Sequence, residues 1–251
     1  MTECAESQEI LRLSDELKQA RREIEQFASI VSHDLQEPLL AITGYLDLVK
    51  MQYAGRLDPE AHEWINFASQ GSRHLKSLLD DLLDYSRIIS RGAPFKAAAL
   101  NTVFKRAIAS LQSVLQNSGA AIVIKENFPE IICDENQIEQ VFKNLIENAV
   151  TFRGPQKTLI HIEVKPDDGG WVFSVKDNGP GFEAQYASEV FKLFRRLGPA
   201  LKEDGGGNGA GLAICKKIID RHQGRIWAES EPGKGAVFSF FLPSGDGLKT
   251  S

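Results

Sequence analysis

The sequence predicts two domains, an all-α antiparallel helical hairpin followed by an α/β sandwich domain. Apolar residues recur at helical spacing over residues 10–49 and again over 61–89, with a short break between them that contains a glycine and a proline. A second break, at residues 91–94, ends this pattern, and helical stretches then alternate with short β-type stretches. At 251 residues, 42% of them hydrophobic, the chain is long enough to bury a core in both domains.

The first helix carries the pattern of a coiled coil. From residues 1–25 into the hairpin, apolar side chains alternate steps of three and four, which gives a narrow seam of Ile10, Leu13, Leu17, Ala20, Ile24, Phe27 and Val31. A seam this narrow packs against a second copy of itself, and the hairpin at residues 26–92 has apolar stripes too broad to stand alone. We therefore expect a homodimer in which two hairpins form a four-helix bundle.

The remaining elements follow from caps and periodicity. Asp58 and the proline after it predict the start of the second hairpin helix. Residues 93–99 are interpreted as a linker to the second domain, residues 100–246. There, Asn101 is expected to cap one helix, and Asp134, with a glutamine three residues later, to start another in a capping-box pattern. Strands are predicted at 121–125, 158–164, 171–176, 225–229 and 236–241, and a helix at 211–222.

Composition excludes several classes of function. The formal net charge of −5 leaves no basic face for nucleic acid. The apolar runs are far shorter than the roughly 18 residues of a transmembrane helix. Because the N-terminus is also too polar for a signal peptide, we expect no direct membrane insertion and a cytoplasmic location. The three cysteines show neither disulfide nor metal-ligand spacing.

The first candidate functional residue is His33. It lies two residues beyond Val31, which turns it about 200° away from the seam and predicts an exposed imidazole, as a phosphoryl acceptor requires. Asp34 beside it can orient the ring and take its proton, which leaves the other nitrogen free to attack a γ-phosphate in line. Pro38 removes a backbone donor just after this pair and allows the helix to bend.

Two asparagines predict a metal site. Asn144 and Asn148 lie four residues apart on one predicted helix and therefore share a face. Their carbonyl oxygens are hard ligands that could hold Mg²⁺ while it bridges the phosphates of ATP. The alternative, two partly exposed polar residues on an amphipathic helix, stays open.

Two glycine-rich stretches predict a close approach of the backbone to a ligand. Asp177 ends a predicted strand and is followed by Gly179 and Gly181 in a sharp turn. The second stretch opens a helix whose backbone amides can receive phosphate without a P-loop lysine. Its residues are Gly207, Gly209, Gly211 and Leu212.

In this order, the motifs resemble the core of bacterial-type sensor histidine kinases. The similarity covers about residues 8–243, with a His-Asp-Leu-x-x-Pro-Leu box at 33–39, an asparagine box, an Asp-x-Gly-x-Gly box, a phenylalanine box at Phe191 and Phe194, and a glycine box. The Gln-Glu pair before the proline of the histidine box is closest to the phytochrome-like and PAS-linked branch. The second domain then resembles the ATP-binding fold shared by gyrase-type ATPases, a heat-shock chaperone and these kinases.

The resemblance implies an activity and its partners. A kinase of this family uses ATP and Mg²⁺ to phosphorylate its histidine, here His33 with Asp34 as the neighbouring acid. It then passes the phosphoryl group to an aspartate on a response-regulator receiver domain. Residues 1–25 would act as a signalling helix that receives input from an upstream sensory domain or a partner protein.

The resemblance also implies roles around the nucleotide. Asp177 would accept the adenine amino group, Asn144 would act with the metal at the phosphates, and the two phenylalanines of the phenylalanine box would anchor a lid over ATP. Arg196 is the first candidate for contact with the γ-phosphate, ahead of Arg195 and Lys192.

Two positions depart from the family pattern and leave alternatives open. Thr151 stands where the family often has a lysine, so Arg153 is the remaining candidate for that phosphate contact. Glu37 stands where the family often has threonine or asparagine, which predicts weak or absent phosphatase activity. The chain could instead be a dimeric nucleotide-binding scaffold that no longer phosphorylates. It could also be an ATPase of the same superfamily, but such enzymes need a water-activating carboxylate where Asn144 stands.

Overall fold

The computed structural model describes residues 2–90, 92–125, 128–197 and 207–244. The chain divides into two compact units, Met1–Ser90 and Arg91–Ser251. The predicted coiled-coil seam lies within a continuous helix, but its side chains from Ile10 to Phe27 are outside the description.

The first unit is the predicted helical hairpin, made of α1 (Thr2–Gln52) and α2 (Pro59–Ser90). Asp58 caps α2, because its Oδ1 accepts a hydrogen bond from the backbone N–H of Ala61 at 2.7 Å. Many large apolar side chains of the hairpin remain exposed, which fits the predicted packing of two copies. They are Ile30, Leu35, Leu40, Ile42, Tyr45, Leu48, Met51, Tyr53, Trp64, Phe67 and Leu75.

The second unit is an α/β sandwich, as predicted. Its elements in chain order are β1 (Lys96–Ala99), α3 (Leu100–Ser110), α4 (Gln112–Ser118), β2 (Ala121–Ile124), β3 (Glu130–Cys133), α5 (Glu135–Thr151), β4 (Leu159–Asp167), β5 (Gly170–Lys176), α6 (Gly211–Arg221), β6 (Arg225–Ser230) and β7 (Ala236–Pro243). Strands β2, β4, β5, β7 and β6 form one sheet in that order, parallel between β2 and β4 and antiparallel elsewhere. Helix α5 contacts both α3 and α6, and the three helices form the second layer.

Phenylalanines fill the space between the sheet and the helices. Phe142 of α5 packs edge-on against Phe104 of α3 at 5.3 Å and Phe240 of β7 at 5.6 Å between ring centroids. Phe173 of β5 stacks on Phe240 at 4.9 Å, and all four rings are buried. This apolar layer fixes the position of α5, which also carries the two asparagines of the predicted metal site.

Residues 96–99, within the predicted linker, form the strand β1. It pairs antiparallel with β3, from Lys96 opposite Cys133 to Ala99 opposite Glu130. The run of three alanines has low strand propensity, so the strand depends on this distant partner rather than on its own residues.

Two predicted caps differ from the structure. Asn101 does not cap a helix, because α3 begins one residue earlier, at Leu100, whose backbone N–H donates to the carbonyl of Pro129 at 3.1 Å. Asp134 does cap α5, but the capping box is incomplete. The backbone N–H of Asp134 donates to Nε2 of His222 at 3.0 Å, and the side-chain oxygen of Gln137 accepts a hydrogen bond from Arg221 at 2.7 Å.

No helix in the described part of the chain is long and apolar enough to cross a membrane.

Candidate functional site

His33 is exposed on the surface of the hairpin, as its position on the helix predicts. Its side chain is 79% exposed and that of Asp34 is 73% exposed, with 3.3 Å between Nδ1 of the ring and Oδ1 of the carboxylate. The carboxylate favours the tautomer that carries the proton on Nδ1, which leaves the lone pair on Nε2. The histidine is therefore presented as an accessible nucleophile.

The helix around His33 is tied to its neighbour. Ser32 is fully buried, while Gln36 donates from Nε2 to Oδ1 of Asp80 on α2 at 2.7 Å. Pro38 lies inside α1, which is helical on both sides of it. These contacts fix the rotation of α1, so that the face carrying His33 points outward.

The structure brings the asparagine box next to the glycine box. Asn144 and Asn148 are half-buried on α5, and Nδ2 of Asn144 donates to the carbonyl of Gly211 at 3.1 Å. Gly211 is the first residue of α6, so this bond joins the predicted metal site to the predicted phosphate site.

Glu147 is a residue that sequence reasoning gave no role. It lies between the two asparagines on α5 and is half-buried, and burial raises the pKa of its carboxyl, although Lys143 partly offsets that effect. The sequence feature that could have identified Glu147 is its spacing, because it follows Asn144 by three residues and therefore lies one helical turn away. A carboxyl here adds a proton-dependent charge beside the phosphate region.

Asp177, at the end of β5, is buried and held by two backbone amides. Its Oδ1 accepts from the N–H of Gly179 at 2.8 Å and of Ala236 at 3.2 Å. Burial raises the pKa of this carboxyl, and the two amide bonds act in the opposite direction. Among the described residues, no protein group donates a hydrogen bond to the second oxygen, Oδ2, so this atom can accept a hydrogen bond from a ligand.

The glycines after Asp177 are required by close backbone contacts. A Cβ on Gly179 would lie 2.5 Å from the carbonyl oxygen of Phe152, at the end of α5. Gly181 has a φ of +64°, and a Cβ there would overlap the carbonyl oxygen of Glu231. The turn is therefore wedged between α5 and the β6–β7 connection.

The phenylalanine box is attached to the glycine box through its backbone. Phe191 is buried, and its ring meets that of Phe238 edge-on at 6.4 Å between centroids. Phe194 differs from the prediction of two anchoring rings, because its side chain is 40% exposed. It is held instead by its N–H, which donates to the carbonyl of Gly209 at 3.0 Å, and its φ is +59°. Gly209 has a φ of +77°, and a Cβ on it would lie 2.7 Å from the carbonyl oxygen of Arg195.

The candidate cations differ in their surroundings. Lys192 and Arg195 both pair with Glu189, at 3.3 and 2.5 Å, and these hydrogen bonds, led by that of Arg195, lower the pKa of the Glu189 carboxyl. Arg196 is half-buried and interacts with other groups of the chain.

Arg153 is exposed, and no hydrogen bond or ion pair joins it to any other described residue. The predicted lid and the start of the glycine stretch fall in residues 198–206, outside the described residues.

The start of α6 fits an anion site. Its N-cap residue, Ala210, makes no side-chain hydrogen bond to the first turn, so the first amides of the helix lack the usual protein acceptor. Gly207 precedes them, and no described residue lies within 4 Å of where a Cβ on it would be, while Leu212 is half-buried. An anionic phosphate at this helix start would also meet the positive end of the helix dipole.

Models of two protein families match the chain. The model of the His Kinase A (phospho-acceptor) domain matches residues 23–91. The model described as histidine kinase-, DNA gyrase B- and HSP90-like ATPase matches residues 133–246. The first contains His33 and the second contains the asparagine, Asp-x-Gly-x-Gly, phenylalanine and glycine boxes.

Several known proteins are similar to this chain over most of its length. Cyanobacterial phytochrome A of Nostoc sp. is 38% identical over 240 residues, which are 96% of this chain and 31% of the phytochrome. The crystal structure of full-length ShkA in complex with AMPPNP has a TM-score of 0.64 at 22% identity and covers 90% of this chain and 47% of that one. The histidine kinase ThkA in complex with the response regulator TrrA has a TM-score of 0.61 at 25% identity and covers 89% of this chain and 64% of that one.

The chain therefore spans about a third of the length of the phytochrome and about half of ShkA. The similarity to the phytochrome agrees with the branch indicated by the histidine box. With a phospho-acceptor hairpin followed by an ATPase domain of the gyrase and chaperone type, the chain has the architecture of a sensor histidine kinase core.

Proposed function

We propose that this chain transfers the γ-phosphoryl group of ATP to His33 and then to an aspartate of a response-regulator receiver domain. The observation that carries the proposal is the exposed imidazole of His33, with Asp34 at one ring nitrogen, in the phospho-acceptor hairpin. The ATPase domain in the same chain supplies the second requirement, a nucleotide site.

The proposed chemistry at His33 is a displacement at phosphorus. The lone pair of Nε2 forms a bond to the γ-phosphorus while the bond to the bridging oxygen breaks, and ADP leaves. The ring acquires positive charge in this step, and the Asp34 carboxylate stabilises it through the proton on Nδ1 and can then take that proton.

The proposed nucleotide site uses three groups of the second unit. The Oδ2 atom of Asp177 accepts from the adenine amino group, and the first amides of α6 receive phosphate oxygens. The side-chain oxygens of Asn144 and Asn148 are hard donors that fit Mg²⁺, which would neutralise charge on the phosphates and keep several waters. Arg196 and Arg153 stay candidates for the phosphate tail.

The proposed partners follow from the hairpin and from the relatives. Exposed apolar side chains on both helices would be covered in a homodimer. The similarity to ThkA, whose structure contains a response regulator, supports a receiver domain as the phosphoryl acceptor. The similarity to a phytochrome supports sensory input through residues 1–25. A cytoplasmic location stays a prediction.

The proposal is tested with γ-labelled ATP and Mg²⁺. Wild-type protein should acquire label that is acid-labile and base-stable, as expected for phosphohistidine, and the variant His33→Gln should acquire none. His74→Gln is the matched control, because His74 is also exposed on the hairpin, and it should label normally.

Two other outcomes would refute the proposal in different ways. Tight nucleotide binding without label on His33 would identify the scaffold, with Thr151 as the first residue to replace. Release of phosphate at the same rate in wild type and His33→Gln would identify the ATPase.

A further inference from the structure

We propose that Asp134, Arg221 and His222 form a linker anchor, which positions the ATPase domain for phosphoryl transfer by holding the chain where it enters that domain. The inference rests on the proposed kinase function and goes beyond it. It assigns positioning roles to residues that lie outside the histidine, asparagine, glycine and phenylalanine boxes.

The linker anchor forms hydrogen bonds with both backbone polar groups of Ala93, the N–H and the carbonyl. The N–H of Ala93 donates to Oδ2 of Asp134 at 2.6 Å, and Nη2 of Arg221 donates to the carbonyl of Ala93 at 2.8 Å. Arg221 also donates from Nη1 to Oδ2 of Asp134 at 3.1 Å and to Gln137 at 2.7 Å. The side chain of Asp134 is only 3% exposed and that of Arg221 17%, so water competes little for these bonds.

The linker residue Phe95 also contacts the linker anchor, through its ring. Its ring stacks on the imidazole of His222 at 4.5 Å between centroids, and the guanidinium carbon of Arg221 lies 4.6 Å from the ring centroid. Two residues of the linker are therefore fixed, one through its backbone and one through its ring.

His222 is itself locked in one tautomer. Its Nδ1 donates to the carbonyl of Ile218 at 2.8 Å, and its Nε2 accepts the backbone N–H of Asp134 at 3.0 Å. The bond that Nε2 accepts requires a neutral ring, and burial lowers the pKa of His222 in the same sense. The ring thus joins the end of α6, the start of α5 and Phe95.

Glycine at position 92 is explained by the same contact. A Cβ on Gly92 would overlap the guanidinium of Arg221. A side chain at position 92 would therefore compete with Arg221 for the space from which it reaches both Ala93 and Asp134.

The anchor shortens the tether between the two units. Helix α2 ends at Ser90, so only residues 91 and 92 separate it from the first gripped residue. Without the anchor, the next fixed position is Lys96, where β1 begins, and the tether would grow to residues 91–95. A longer tether lets the ATPase domain, with its bound nucleotide, occupy more positions relative to the hairpin. The effective concentration of the nucleotide at His33 then falls. Phosphorylation should then slow although ATP still binds.

The test compares the variants Phe95→Ala and Arg221→Gln with wild type, each in the whole 251-residue chain. At saturating ATP, we expect labelling of His33 to slow by about fivefold or more, with the affinity for a fluorescent ATP analogue unchanged. Amide hydrogen exchange at Ala93 should be protected in wild type and unprotected in both variants. Because both changes release one anchor, the double variant should be no slower than the slower single variant.

Two matched variants control for general damage. Phe95→Tyr keeps the stacked ring and should restore the wild-type rate. Lys216→Ala removes an exposed cation from the same helix as Arg221 and should change neither rate nor exchange.

An unchanged labelling rate in a variant that has lost protection at Ala93 would overturn the inference. So would the absence of protection in wild type, or a loss of nucleotide affinity that accounts for the whole change in rate. Wild-type protein that binds ATP but never labels His33 would overturn the proposed function and this inference with it.

Discussion

Asp177 shows how a single carboxyl group can serve binding at a cost to stability. One oxygen is fixed by the amides of Gly179 and Ala236, and the other has no protein partner among the described residues. Burial raises the pKa of the group, which means that its ionised form is disfavoured in the folded protein. At neutral pH, the folded domain therefore carries a charge that it would be more stable without.

We expect Asp177→Asn to stabilise the protein and to weaken nucleotide binding. The asparagine carbonyl can still accept from both amides, and the buried charge is removed, so the free energy of unfolding at neutral pH should rise by about 1 kcal/mol. The new NH₂ group cannot accept from the adenine amino group, so ATP affinity should fall about tenfold or more. Thermal unfolding and titration with a fluorescent ATP analogue measure the two effects.

The pH dependence of this difference has a definite sign. A raised folded-state pKa means that the protonated carboxyl is favoured by folding, and that advantage is lost as pH rises through the raised pKa. The stability gain of Asp177→Asn should therefore be largest near neutral pH and should shrink as pH falls toward about 4. Asp168→Asn removes an exposed carboxyl and should show neither effect. A gain that stays constant with pH would contradict the assignment.

At the scale of single elements, the start of α2 depends on one cap. Oδ1 of Asp58 satisfies the backbone N–H of Ala61 in the first turn. We expect Asp58→Ala to destabilise the hairpin by about 1 kcal/mol, measured by urea unfolding followed by circular dichroism. Asp58→Asn keeps the acceptor oxygen and should lie within a few tenths of a kcal/mol of wild type. Equal losses in the two variants would show that the charge, not the hydrogen bond, matters.

The long, strongly periodic elements could be predicted from the sequence, as could the four-residue strand β2, whereas β1 and β3 could not. The hairpin helices, α5 and α6 carry a sustained apolar period, and Asp58 and Asp134 mark two of their starts. Strands β1 and β3 are only four residues long, and each forms because of the other across the thirty residues between them. Local propensity does not contain that information.

The candidate site shows the same limit. The residue types and spacings predicted His33, the asparagines and Asp177, because their chemistry is local. Other features depend on contacts between elements that are distant in the sequence. They are the hydrogen bond from Asn144 to Gly211, the exposed ring of Phe194 and the hydrogen bonds to the backbone of Ala93. No role was predicted for His222 or Arg221, because a histidine and an arginine at the end of a helix are common on surfaces.

At the scale of the whole molecule, the hairpin exposes aromatic rings that a single copy leaves in water. Trp64 and Phe67, on α2, are each 64% exposed, and Trp64 belongs to the apolar series that predicted a four-helix bundle. Burying two such rings against a second copy would stabilise a dimer by several kcal/mol before the entropic cost of association is counted. We therefore expect these rings to lie in the dimer interface.

The variant Trp64→Glu/Phe67→Glu should then raise the dimer dissociation constant at least about tenfold, because it removes the apolar contact and places like charges in the interface. Sedimentation velocity over a range of protein concentrations measures this change. Gln70→Glu adds a charge at an exposed polar position of the same helix and should leave the dimer intact. If the double variant stays as dimeric as wild type, these rings face another partner, and the bundle must use the exposed apolar residues of α1 instead.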